Sequence, residues 1–237
     1  LRVISVSSEA TSLVVVSGAS SGIGRCIAQH LVSFGRPVLG LDISPATIIH
    51  PDYQHTTIDL TNDIAVDQLL KYVSAYGFVH AAGVLRIGKL SQLDHKVAEQ
   101  MWRLHDQAAS VIANALLPQM MRNKLGRIVF IGSRVAQGLP GRGQYAATKA
   151  ALVAMAKSWA AEVASLGITI NVVSPAATDT GMLSDPQRLG SGPRLPPIGR
   201  LIEPQEIADL VSFLLSPSAS AITGQNINIC GGSSLHH

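Results

Sequence analysis

Leu13-Val14-Val15-Val16-Ser17-Gly18-Ala19-Ser20-Ser21-Gly22-Ile23-Gly24 is the stretch whose reading decides the fold. The β-branched run Leu13–Ser17 predicts a short strand. Glycines then let the backbone turn tightly and come close to a ligand. Residues from Gly22 to Phe34 read as a helix that stops near Gly35. A helix opening directly from such a turn offers unpaired N–H groups and a positive dipole end, which suits an anion. Gly18, Ser20, Ser21, Gly22, Ile23 and Gly24 are therefore candidate contacts for a dinucleotide pyrophosphate. The spacing is G-x-x-x-G-x-G, not the general G-x-G-x-x-G fingerprint. The competing reading is a glycine-rich turn that only packs helix on strand.

Outward from this turn, strand-like and helix-like segments alternate to the end of the chain. Strands are expected at Pro37–Asp42, Thr56–Asp59, Phe78–His80, Arg127–Gly132, Thr169–Val173 and Asn226–Ile229. Helices are expected at Ile64–Ala75, Gln92–Arg122 with a kink or restart at Pro118, Ala146–Ser165, and Pro204–Leu215. Alternation of this kind gives an α/β fold: a single-domain, Rossmann-type, doubly wound parallel sheet with helices on both faces, spanning residues 1–237. Met182–Arg200 breaks the rhythm with Gly, Pro and Arg, and reads as a lid over the carboxyl edge of the sheet.

Composition narrows the function classes. Hydrophobic residues make up 47% and charged residues 14%, which excludes a disordered chain. Aromatics are only 4%, so Ala, Val, Ile and Leu must build the core. The net charge of +3 comes from scattered Lys and Arg, without the clustering that nucleic-acid binding needs. No apolar run is long enough to span a bilayer, and Leu1–Ser12 does not read as a secretory signal, so no membrane partner is expected and cytoplasmic residence is. Cys26 and Cys230 lack metal-type spacing; they read as free buried thiols, and no metal site is expected.

Asp42 ends the second predicted strand, where a carboxylate accepts hydrogen bonds from adenosine ribose hydroxyls and repels a 2′-phosphate. No Lys or Arg stands at Ser21 or Ile43 to read such a phosphate, so NAD is expected ahead of NADP; Arg25 is the reservation. The competing reading of Asp42 is an acidic turn residue. Tyr145 and Lys149 lie four apart, on one face of the Ala-rich helix. A phenol with an ordinary pKa near ~10 is a poor base at neutral pH, and a nearby ammonium favours its ionised form. Ser133, at the end of the preceding strand, is placed to hold a substrate oxygen. Tyr-x-x-x-Lys alone is common as a surface pair. Its conjunction with Ser133 and the glycine turn points to general acid/base catalysis beside a hydride-carrying cofactor.

These motifs resemble the short-chain dehydrogenase/reductase family across about residues 12–233. The resemblance is carried by the glycine turn, Asp59-Leu60, His80-Ala81-Ala82-Gly83, Ser133, Tyr145-Ala146-Ala147-Thr148-Lys149, Asn171-Val172-Val173-Ser174-Pro175, Ile222-Thr223-Gly224-Gln225 and Gly231-Gly232. It implies sheet order 3-2-1-4-5-6-7, hydride transfer with an alcohol or ketone, and a homotetramer or homodimer. It also implies that Ile43, Asp59 and Leu60 border the adenosine, that Ala81, Ala82 and Gly83 line the cofactor, and that Pro175, Thr178 and Thr180 hold the nicotinamide end. Tyr145 and Lys149 would also touch the cofactor.

The chain departs from the family pattern at four places. His80-Ala81 replaces Asn-Asn, His105 stands where a fourth catalytic residue, Asn, is usual, Ala176 follows Pro175, and Cys230 precedes the final glycines. His105 reads as a water-holding or proton-relaying group, or as a core histidine. Within the family, residues 82–88 and 174–180 look like the dehydrogenases that aromatise 2,3-dihydro-2,3-dihydroxybenzoate. Arg86, Arg134 and Arg142 would then meet a substrate carboxylate, or are simply surface arginines. A 3-oxoacyl-carrier-protein reductase and a sugar or polyol dehydrogenase stay open, as does a dinucleotide-binding protein without catalysis.

Overall fold

The β-branched runs at Val14–Val16, Ile128–Val129 and Ile170–Val173 lie in one parallel sheet. The computed structural model describes residues 12–184 and 194–235. Its strands are β1 (Val14–Ser17), β2 (Val38–Asp42), β3 (Tyr53–Thr57), β4 (Gly77–His80), β5 (Gly126–Ile131), β6 (Ile168–Pro175) and β7 (Asn226–Ile229). All neighbouring pairs are parallel, in the order β3-β2-β1-β4-β5-β6-β7. The reversal between β1 and β4 opens a crevice at the carboxyl ends of the strands, the usual ligand position in such sheets.

Successive side chains of a strand point to opposite faces, and both faces here are covered. Val15, Phe78, Ile128 and Ile170 meet helices α2 (Asp63–Leu70), α4 (Ala108–Asn123) and α5 (Gly143–Val163) through Val66, Ile112, Leu116 and Leu152. Val14, Val16, Val79 and Val129 meet α1 (Gly22–Ser33) and α6 (Pro204–Leu214) through Ile27, Leu31, Ile207 and Val211. Local chemistry fixes the helix ends. Asn62 caps α2 by accepting from the Ala65 N–H, Asp94 caps α3 (His95–Trp102), and Glu203 with Glu206 forms a capping box before Pro204.

Several expected boundaries move. The third strand lies at Tyr53–Thr57 rather than Thr56–Asp59, because pairing with β2 sets its register as Val38↔Tyr53 through Asp42↔Thr57. The helix expected through Ala75 ends at Leu70. Pro118 neither breaks nor restarts the long helix, for α4 runs through it. The irregularity comes earlier, as a π turn at Arg103–Gln107 between α3 and α4. The Ala-rich helix begins at Gly143, so Tyr145 sits in its first turn. Cys26 and Cys230 are free but only half-buried. Residues 185–193 of the expected lid, and residues 1–11 of the segment considered as a signal, lie outside the described residues. No described helix is long and apolar enough to cross a membrane, and no described group of His, Cys, Asp and Glu is arranged to hold a metal.

Candidate active site

The turn after β1 is as tight as its glycines permit. Gly18 has φ +72°, and a Cβ there would lie 2.7 Å from the backbone of Ala82. A Cβ on Gly24 would lie 2.1 Å from the Gly18 carbonyl oxygen. Both positions therefore exclude any side chain, and the start of α1 is held against the strand ends. Ser21, Gly22, Ile23 and Gly24 line a cavity of about 1450 Å³. That exceeds the roughly 300–1,000 Å³ of a drug-sized site, as room for a dinucleotide plus a substrate requires.

Along one arm of the cavity stand Asp42, Ile43, Asp59 and Leu60; along the other, Ala81, Ala82, Gly83, Pro175, Thr178 and Thr180. The Asp42 carboxylate accepts from the Ser44 N–H at Oδ1 (2.9 Å) and from the Ser20 N–H at Oδ2 (3.0 Å). It is pinned at the end of β2, with lone pairs to spare on each oxygen. Ser20 itself is not on the cavity wall. Its hydroxyl donates to the Ser44 carbonyl (3.2 Å), so it shapes the Asp42 corner instead of facing the expected pyrophosphate. Arg25 is exposed and off the wall as well.

Tyr145, Lys149 and Ser133 converge on the same wall, each at least nine-tenths buried. The Lys149 Nζ lies 6.0 Å from the centre of the Tyr145 ring and donates to the Ile131 carbonyl (3.0 Å). Burial pushes the lysine down to about 8, opposed by the Asp106 carboxylate. The Ser133 Oγ accepts from the Val135 N–H (3.1 Å), which fixes the side chain at the strand end. Arg86, Arg134 and Arg142 also line the cavity, as does Arg194, which sequence reasoning did not single out.

His105 does not reach the cavity wall. It is fully buried behind Gly83, where a Cβ would meet its Nε2 at 3.2 Å and the Lys149 Nζ at 3.5 Å. Its Nε2 accepts from the Val84 N–H (3.0 Å), which puts the ring proton on Nδ1, facing the Thr148 hydroxyl (2.8 Å). Thr148 in turn donates to the Tyr145 carbonyl (2.9 Å), and the His105 ring meets the Tyr145 ring edge-on at 5.7 Å. His80 is likewise sealed in. Its Nδ1 faces the Ser17 hydroxyl (2.8 Å) and its Nε2 donates to the Leu104 carbonyl (3.1 Å), tying β1 and β4 to the π turn. Burial, with the Lys149 charge adding to it, pushes His80 down to about 3. The same causes and the neighbouring His80 hold His105 well below the imidazole range. Both rings are neutral.

Sequence reasoning missed Thr148 and Asp106. Thr148 lies inside the quoted Tyr-to-Lys motif, where its spacing from Tyr145 was the available signal. Asp106 stands between His105 and Gln107, so no local hydropathy pattern marks its burial.

This arrangement can be set beside known proteins. A family model described as Enoyl-(Acyl carrier protein) reductase matches residues 18–234. The chain belongs to the short-chain dehydrogenase/reductase family. It is 36% identical over 235 residues to the 3-oxoacyl-(acyl-carrier-protein) reductase FabG of Salmonella typhimurium, covering 93% of this chain and 96% of that one. It is 34% identical over 238 residues to the 2,3-dihydro-2,3-dihydroxybenzoate dehydrogenase of Escherichia coli, with 93% and 96% covered. The solved aldohexose dehydrogenase of Thermoplasma acidophilum superposes with a TM-score of 0.87 at 29% identity, covering 95% of each chain. As a short-chain dehydrogenase/reductase, this chain is an oxidoreductase, of a family that works with a nicotinamide dinucleotide.

Proposed function

We propose that this enzyme moves a hydride between NAD and a secondary alcohol or ketone, with Tyr145 as general acid/base. The observation that carries the reading is the convergence of Tyr145, Lys149 and Ser133 on the cavity that begins at the glycine turn. The fit of a dinucleotide rests on the cradle that any Cβ at Gly18 or Gly24 would fill, and on a continuous wall from α1 to Thr180. Gly18, Ser21, Gly22, Ile23 and Gly24 would hold the pyrophosphate, Asp42 the adenosine ribose, and Pro175, Thr178 and Thr180 the nicotinamide end. A bound nicotinamide supplies or accepts the hydride.

The protein's own residues handle the proton. In oxidation, the Tyr145 phenolate takes the proton of the substrate hydroxyl; in reduction, the phenol returns it to the carbonyl oxygen. The Lys149 ammonium stabilises the phenolate, and the Ser133 hydroxyl holds the substrate oxygen. His105 is assigned a positioning role, since both its ring nitrogens are engaged by Val84 and Thr148. The preference for NAD follows from Asp42, whose fixed carboxylate repels a 2′-phosphate.

Four arginines lining the cavity, of which Arg134 adjoins Ser133, favour an anionic substrate, of which a carboxylated cyclic alcohol such as the one named for the Escherichia coli relative is an example. The test is a screen for NADH formation or loss with carboxylated and neutral alcohols and ketones. Turnover is expected to be highest with the carboxylated members. Tight NAD binding without turnover of any member would instead mark a dinucleotide-binding protein.

A further inference from the structure

Asp42 is only as well placed as the backbone it bonds to. Its Oδ1 accepts from the Ser44 N–H (2.9 Å), and Ser44 lines the cavity beside it. The Ser44 carbonyl accepts from two side chains, the Ser20 hydroxyl at 3.2 Å and the His55 Nε2 at 3.0 Å. A carbonyl only accepts, so the His55 ring carries its proton on Nε2. Its Nδ1 then accepts from the Tyr53 hydroxyl (3.0 Å).

The sheet builds this chain of bonds. Alternate residues of a strand share a face, so Tyr53 and His55 stand side by side on the edge strand β3. The register sets Val38 against Tyr53 and Gly40 against His55. Tyr53 reaches diagonally across Gly40, where a Cβ would stand 2.2 Å from the phenol oxygen; glycine leaves it the room. The phenol ring is buried with Val38 and Ile48, whereas His55 is half-buried. Neither side chain lines the cavity. Any effect of His55 on the cavity therefore passes through Ser44.

Held at both oxygens, by Ser20 and Ser44, the Asp42 carboxylate has one orientation. Freed at one of them, it would turn about its side-chain bonds, lose its aim at a ribose and give way to a 2′-phosphate. We propose that His55 is a positioning residue for the cofactor's adenosine end, which fixes Ser44 and, through it, the carboxylate that separates NAD from NADP. Tyr53 anchors the imidazole. The inference rests on the proposed role of Asp42 and is independent of Tyr145.

Calorimetric titration with NAD and NADP reads this arm without turnover. His55→Leu removes the donor and should move the NADP/NAD affinity ratio toward NADP by about three- to tenfold, the scale of one hydrogen bond. His55→Gln, whose amide can donate to the same carbonyl, should stay within about twofold of the parent. A modest fall in Tm is expected of His55→Leu under a positioning or a purely structural role alike, so the ratio decides. An unmoved ratio overturns the proposal, as does a Gln variant that shifts as far as the Leu one. His55→Phe, which keeps an aromatic ring on the strand, decides in the same way if the Leu variant does not fold. Asp42→Asn separates the two readings. A ratio that moves with Asp42→Asn and not with His55→Leu refutes the role of His55 alone; one that Asp42→Asn leaves unmoved refutes the Asp42 assignment. Added to Asp42→Asn, His55→Leu should move the ratio by less than about twofold further, and an undiminished shift would overturn the route through Asp42.

Discussion

Replacing Asp42 by Asn tests the cofactor arm in a way that separates charge from shape. The carboxylate accepts two backbone N–H groups, from Ser44 at 2.9 Å and Ser20 at 3.0 Å. An Asn amide offers one acceptor and one donor, so one N–H would face an NH₂ group and lose its partner. An unmatched group of this kind costs about 1–3 kcal/mol. For a chain of this length the lower half of that range lowers Tm by about 2–8 °C. The charge effect is separate. Two unit charges about 4 Å apart in water-like surroundings interact by about 1 kcal/mol. A 2′-phosphate bearing close to two negative charges is thus repelled by about 2 kcal/mol, or ~30-fold in affinity. Fluorescence titration with NAD and NADP should show the parent preferring NAD, and Asp42→Asn moving the NADP/NAD affinity ratio toward NADP by about 30-fold. A parent that binds NADP more tightly, or a variant that leaves the ratio unmoved, would refute the assignment of Asp42.

Two further predictions follow from packing and from buried titratable groups. Gly24→Ala places a Cβ 2.1 Å from the Gly18 carbonyl oxygen, so the turn must open. Overpacking of about 1–3 kcal/mol is expected, with dinucleotide affinity down by about tenfold or more on calorimetric titration; unchanged affinity would exclude this turn as the phosphate cradle. His80 is held neutral, down to about 3, and His105 is lowered in the same sense. The unfolded chain takes up a proton near pH ~6.5 that the folded one refuses, so the His80 contribution is full above that pH and is lost as pH falls toward about 3, at about 1.4 kcal/mol per pH unit, with His105 acting in the same direction. Tm should fall accordingly between about pH 7 and 4, and His80→Asn should flatten the dependence. A parent Tm independent of pH across that window would contradict the neutral, buried state.

Much of the fold could be read from the sequence because its strongest signals are local. Val14–Ser17, the glycine turn and α1 are specified by β-branching and glycine within a few residues, and the sheet order followed from the resemblance those motifs carry. The register of β3 was not readable in this way. Tyr53-Gln54-His55-Thr56-Thr57 is polar and lies on an edge, so pairing with β2 decides its position rather than hydropathy. The π turn is silent in sequence, since one extra residue per turn leaves the apolar pattern nearly intact, whereas Pro118 gave a signal for a break that the packed helix overrides. In the site, Tyr145, Lys149 and Ser133 could be found by spacing. The bonds of His105 to Val84 and Thr148 could not, because they depend on how the π turn is rotated against α5.

The most direct measurement is single-turnover hydride transfer by Tyr145→Phe, followed by NADH absorbance with the best substrate of the screen, alongside NADH affinity. Loss of the phenol's proton transfer should slow the step by about 10²–10⁴-fold while affinity stays within a few-fold of the parent. Transfer at near the parental rate would mean that the proton moves by another route and that the convergence of Tyr145, Lys149 and Ser133 is not what drives the reaction.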